Sequence, residues 1–302
     1  MRLPHPIILV CLAVLCGCTL DATMKGVTLG GTGVITATAW RYILASVIMV
    51  TLFVAARRPV PGWKAIRFHT LRSIAQVVSS LTFFYALTQI TLAEAVVMGF
   101  TAALMIAPIA RVLLGERMSP VTVGASLVGF VGAAIAISGE PASAPTAGVR
   151  AYGIAAMLVS AVGYALNIVL LRLRTKEEDA LTLVTFMNVL PALFLIPFLP
   201  FVGVMPEVNA WPPLGGAAIA AVGIWSFMTL AYARAKAQTL APFEYTGLLW
   251  SSLFGYVFFQ EIPSIRLYGG AAIIIVACLV VAFETHFAAR REARAAAAEI
   301  AP

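Results

Sequence analysis

The chain has 302 residues, of which 61% are hydrophobic and only 11% charged, and its mean hydropathy is +0.97. A soluble globule of this size could not keep so apolar a surface dissolved, so the composition excludes that class and points to an integral membrane protein. The formal net charge of +7, from 20 Lys and Arg against 13 Asp and Glu, is explained by membrane topology, and no nucleic-acid partner is implied.

A hydrocarbon core about 30 Å thick takes roughly 20 apolar residues per helix, and only helices or closed barrels satisfy the backbone inside it. The apolar runs are continuous rather than alternating, which selects helices. Ten spans are predicted, over residues 6–24, 32–56, 69–90, 92–114, 121–138, 148–171, 180–203, 211–233, 242–260 and 265–287. They leave no room for a soluble domain.

Basic residues near a membrane gather on its cytoplasmic side. With the amino terminus inside, most do so, among them Arg57, Arg58, Lys64, Arg67 and Arg72 in the longest basic connection. Lys25, Arg150 and Arg266 face the other side, and Arg41 and Arg111 lie within spans. Both termini are therefore expected in the cytoplasm. Cys11, Cys16, Cys18 and Cys278 all fall in apolar helices and read as small buried hydrophobes. The histidines, at 5, 69 and 286, are too far apart to build a metal site. No metal, cofactor or catalytic residue is expected.

The first span carries Asp21 and Lys25 four residues apart, on one helix face. A carboxylate at that depth is costly unless paired, and Arg41 in the second span is the expected partner. Two readings stand, a structural ion pair between the first two helices or a contact for substrate or a proton. The run Gly30-Gly31-Thr32-Gly33 lacks the strand and helix context of a phosphate loop and reads as a turn. The third span offers Gln76, Ser79, Ser80, Thr82, Tyr85 and Gln89. Small hydroxyl residues let membrane helices approach closely, so a bundle seam is one reading and cavity lining by Gln76 and Tyr85 the other.

The fourth span begins at Glu94, which suits the helix dipole, and contains Pro108 and Arg111. Glu116 and Glu261 lie in very short turns and read as turn determinants, with a gating salt bridge from Glu116 to Arg111 or Arg117 as the alternative. In the second half, Asn188 and Pro191 fall near the depth of Arg41, so the charge is not repeated. Trp225 and Tyr232 belong to the eighth span, and Glu244, Tyr245 and Trp250 to the ninth, where Ala-Pro-Phe-Glu-Tyr-Thr gathers a carboxylate, a phenol and a proline at one helix start.

Two offsets tie the halves together. Glu261, Ser264 and Gly269 fall on Glu116, Ser119 and Gly124 after subtraction of 145, and Gly163, Leu166 and Asn167 on Gly17, Leu20 and Asp21 after subtraction of 146. Five spans per half is an odd number, so the halves must be inverted across the membrane, as in transporters whose sites lie at the interface between repeats. The expected organisation is a first repeat over 1–140, a second over 148–287 and a basic tail over 288–302.

Ten spans in two repeats, with Trp40-Arg41-Tyr42-Ile43-Leu44-Ala45-Ser46 in the second, Gly115-Glu116-Arg117-Met118-Ser119 before the fifth and Phe259-Gln260-Glu261-Ile262-Pro263-Ser264 before the tenth, resemble the drug/metabolite transporter superfamily in its EamA-type branch. The resemblance covers nearly the whole chain. It implies an all-α carrier of small metabolites in the bacterial inner membrane, with a central cavity between the repeats. Within that branch, Leu20 to Lys25 and Ala241 to Trp250 are similar to carriers of S-adenosylmethionine, while other members export amino acids and their derivatives. On this reading Asp21, Arg41, Gln76, Tyr85, Asn167, Trp225, Tyr232, Glu244, Tyr245 and Trp250 contact the substrate. The partners would be a small-molecule substrate, membrane lipids and protons as coupling ion, in a monomer or homodimer. A membrane-embedded enzyme would need a nucleophile with its base, or a metal cluster, and the sequence has no such motif.

Overall fold

The computed structural model describes residues 5–115, 118–139, 147–172, 179–203, 205–232, 234, 240 and 243–300. These residues form ten main helices and no strand: Pro6–Leu29 (α1), Val34–Ala55 (α2), Trp63–Leu87 (α3), Leu92–Leu114 (α4), Pro120–Ile137 (α5), Ala147–Arg172 (α6), Ala180–Leu195 (α7), Trp211–Tyr232 (α8), Gly247–Phe259 (α9) and Ile265–Ile300 (α10). A short helical stretch, Leu199–Val202, continues α7. Eight helical stretches are long and apolar enough to cross a membrane. The two helices outside that set are α3, whose first turns carry Lys64 and Arg67, and α9, which has only 13 residues.

Three boundaries differ from expectation. Nothing breaks α1 until Gly30 and Gly31, the latter at φ +102°, so the helix runs past residue 24 and holds Asp21 and Lys25 within its body. The basic connection expected over 56–72 is helical from Trp63 onward, because His69 and Arg72 are each 1% exposed. The His69 ring stacks on Phe186 with centroids 5.4 Å apart, and Arg72 donates to the Leu183 carbonyl at 3.5 Å. At the other end, α9 starts at Gly247 behind a turn at Tyr245 and Thr246.

Helix contacts follow the repeat. Helices α1 and α8 pack together, as do their counterparts α6 and α3. Likewise α4 meets α6 as α9 meets α1, while α2, α4 and α5 each touch their own equivalents α7, α9 and α10. Exchanging each helix for the one five places away maps these pairs onto one another, as two five-helix repeats about a pseudo-two-fold axis require, while α4 alone also packs on both α5 and α10. Equivalent side chains meet on that axis: Phe100 and Tyr245, 145 residues apart, pack edge to face at 5.1 Å. The serine caps repeat too, Ser119 accepting from the Thr122 amide at 3.1 Å and Ser264 from the Leu267 amide at 3.3 Å.

The α5–α10 crossing depends on two glycines. A Cβ at Gly270 would stand 2.4 Å from the Gly132 carbonyl oxygen, and one at Gly132 would stand 2.9 Å from the Gly270 carbonyl oxygen. Backbones approach this closely in a bilayer only through small residues, since lipid gives apolar side chains no reason to leave it.

Candidate functional site

The polar residues inside the bundle form two groups at different depths. Near the end of α1 remote from the amino terminus, Lys25, 4% exposed, pairs with Glu261 at 2.5 Å and donates to the Ile90 carbonyl at 2.6 Å. Glu261 also accepts the Leu92 amide at 2.7 Å. This carboxylate is aimed by the end of α9: Gln260 adopts φ +55°, and Gly255 leaves room where a Cβ would come within 2.7 Å of Glu261 Oε2. Two residues on, Thr91 and Glu94 form a capping box at the start of α4. Glu94 then pairs with Arg150 of α6, whose guanidinium also donates to the Ile137 and Gly139 carbonyls. One belt of buried charges thus ties α1, the α3–α4 turn, the end of α5, α6 and the α9–α10 turn.

Lys25 is thus committed to Glu261, and the expected pairing of Asp21 with Arg41 is not closed. Asp21 is half-buried on α1 and feels the charge of Arg41, yet the two make no ion pair within 4.0 Å. Arg41 is 5% exposed and places its guanidinium carbon over the Tyr42 ring, 3.7 Å from its centroid, with Phe84 at 5.7 Å. Its Nε is buried with no hydrogen-bond partner. A carboxylate and a guanidinium therefore share the bundle interior without neutralising one another by contact.

Tyr42 links this pair to a neutral network. Its hydroxyl bonds Ser80 at 2.7 Å and accepts from Gln76 Nε2 at 3.2 Å. Gln76 Oε1 in turn accepts from Asn167 Nδ2 at 2.6 Å. Gln76 and Asn167 are thus brought together across α3 and α6, beside a seam in which Ser79 and Ser160 exchange bonds to each other's carbonyls at 2.9 Å. Ser79 thus serves the seam between α3 and α6, while Gln76 bonds Tyr42 and Asn167.

The remaining predicted residues are more scattered. Glu244 is half-buried just before α9, within electrostatic reach of Tyr164 on α6. Trp250 lies half-buried against Phe254 at 6.1 Å, and Trp225 is half-buried on α8. Tyr245 packs into the apolar cluster of α4, α5 and α10. Tyr85 is 40% exposed and lines a groove with Val34, Leu81 and Val202, away from Asp21. Tyr232 ends α8, and its side chain, like Glu116 and Arg117, lies outside the described residues.

Sequence reasoning missed Tyr42 and the charge belt. Tyr42 stood next to Arg41, and the signal was available in its hydroxyl at mid-span, which must find a partner in a bilayer. Glu261 reads from the sequence as a turn determinant, and its partner is Lys25, a pairing between distant parts of the chain that no local spacing announces.

The model of the EamA-like transporter family matches residues 5–138 and again 151–283. The chain belongs to this family. Among curated relatives, a riboflavin transporter of Brucella anthropi is 28% identical over 253 residues, 80% of this chain and 84% of that protein. The pseudopaline exporter CntI of Pseudomonas aeruginosa is 24% identical over 210 residues, 69% of this chain and 72% of that one. A solved crystal structure with 21% identity covers 91% of this chain and 96% of its own, with a TM-score of 0.62, a likeness of fold alone. Family membership makes this chain a multi-pass membrane transporter of small molecules.

Proposed function

We propose that this family member is a secondary transporter of a small amphoteric metabolite, an amino acid or an amino-acid derivative, moved by alternating access between the halves 1–140 and 148–287, with 288–302 as a basic tail. The observation that carries the reading is the uncommitted pair Asp21 and Arg41. Buried ionisable groups are expensive in a membrane and are kept where they meet an ion or a substrate. The free Arg41 Nε offers a donor to a substrate carboxylate, and Asp21 faces a substrate ammonium or a coupling proton. Gln76 and Asn167 orient the polar body of the molecule, and Trp225 and Trp250 offer apolar faces. The distribution of Lys and Arg favours the inner membrane with both termini in the cytoplasm. S-adenosylmethionine, with an ammonium, a carboxylate and an adenine ring, satisfies the same groups and is the alternative within this class.

A second reading, a flat uncharged heteroaromatic substrate, is favoured by the riboflavin transporters among the relatives and by the neutral amide network. Thermal stabilisation of the purified protein by a ligand panel separates them, because a ligand that binds only the folded state raises the melting temperature. Amino-acid derivatives or S-adenosylmethionine should stabilise the parent and not Arg41→Gln. Stabilisation by riboflavin alone, undiminished in Arg41→Gln, would overturn the amphoteric reading.

A further inference from the structure

The two faces of α1 lead to different places. Residues 18, 21 and 25 face the bundle, whereas Thr19, Thr23, Gly26 and Gly30 lie on another side, centred about 140° around the helix at 100° per residue. That second side is one wall of a groove of about 520 Å³, closed by Phe254, Phe258 and Phe259 of α9 and by the start of α8. The volume is in the range of sites that hold a ligand.

The groove is graded from polar to apolar. Thr19 and Thr23 donate their hydroxyls to carbonyls of their own helix, at 2.8 and 2.6 Å, so they present methyl groups. Below Gly30 the lining is therefore methyl groups and phenyl rings. At the upper rim stand Glu207 and Asn209, both exposed. The Glu207 carboxylate lies beside Gly31, where a Cβ would stand 3.4 Å from its Oε1. It makes no ion pair among the described residues. Thr32 lines the same rim, is 6% exposed, and its hydroxyl oxygen is buried without a partner. From Gly30 down to Thr19 the groove is about 16 Å long at 1.5 Å per residue, close to half the thickness of a bilayer core. Phe258 is 65% exposed, so the groove opens sideways to the membrane.

We propose that this groove is a site for one phospholipid whose headgroup carries a primary ammonium. The ammonium sits on Glu207, Asn209 and Thr32 take its polar oxygens, and an acyl chain lies along the three phenylalanines in the space that Gly26 leaves open. An anionic headgroup would instead meet an unpaired carboxylate. The site is separate from the Asp21 and Arg41 pair and does not depend on the substrate.

The test is native mass spectrometry of the full chain released from vesicles containing equal phosphatidylethanolamine and phosphatidylglycerol with identical acyl chains. The wild type should retain phosphatidylethanolamine in preference by about fivefold, the ratio given by one exposed charge contact. Glu207→Gln should level the two lipids and Glu207→Asp should keep the preference. Gly26→Leu, filling the groove, should remove the retained lipid altogether. Size-exclusion profiles matching the wild type establish that each variant is folded. Equal retention of both lipids by the wild type, or a preference that survives in folded Glu207→Gln, would overturn the proposal.

Discussion

Lys25 and Glu261 form a buried ion pair, 2.5 Å between charged atoms, that joins the first helix of one repeat to the last turn of the other. Both side chains are under one-tenth exposed, and both carry further bonds, to the Ile90 carbonyl and the Leu92 amide. Removing one partner strands the other charge in a low-dielectric interior. Lys25→Met or Glu261→Gln should each cost about 3 kcal/mol, read as a lower melting temperature in detergent. The double variant K25M/E261M should be more stable than either single one. If it is the least stable of the three, the pair does not act as a unit.

Gln76 and Asn167 meet at 2.6 Å between α3 and α6. Gln76→Leu and Asn167→Leu should couple by about 1 kcal/mol in a double-mutant cycle of thermal stability, the size of one buried hydrogen bond. Additive effects would place the two amides in separate environments.

The architecture was legible in the sequence because it rests on long apolar runs and on features spaced by 145 and 146 residues, and both signals are one-dimensional. Partner choice was not. Asp21 and Arg41 share a depth in the first two spans and were expected to pair, yet they form no ion pair, while the left-handed turn at Gln260 brings Glu261 to Lys25. The buried start of α3 was hidden for a related reason. Lys64, Arg67, His69 and Arg72 read as a surface connection, although the carbonyl of Leu183 and the ring of Phe186 take His69 and Arg72 inside. Within the site, Asp21, Arg41, Gln76 and Asn167 were recognisable as polar residues at span depth, while Tyr42 became significant only once its hydroxyl was seen to bridge Ser80 and Gln76.

Gly132 and Gly270 hold α5 against α10 at backbone distance. Gly270→Leu should cost about 2 kcal/mol through overpacking and lower the yield of monodisperse protein. The same change at Gly269, where a Cβ meets nothing within 4 Å, should leave the melting temperature close to that of the parent.

Arg41 lies over Tyr42 as a flat guanidinium with one unpaired donor. A lysine keeps the charge but neither the stacking nor the planar donor set. Arg41→Lys should therefore raise the substrate concentration for half-maximal transport by about tenfold, the value of one charged hydrogen bond, without a matching loss of stability. An unchanged transport profile would remove Arg41 from the substrate path.

Counterflow in proteoliposomes distinguishes a carrier with Asp21 and Arg41 in its substrate site from an open pathway. Vesicles preloaded with an unlabelled amino-acid derivative, S-adenosylmethionine included in the panel, are supplied with the labelled compound outside, for the parent and for Asp21→Asn. Saturable uptake that the preload accelerates is expected, with its loss in Asp21→Asn while the fold stays intact. Flux that does not saturate, or counterflow equal in parent and variant, would contradict a carrier whose substrate site is built on Asp21 and Arg41.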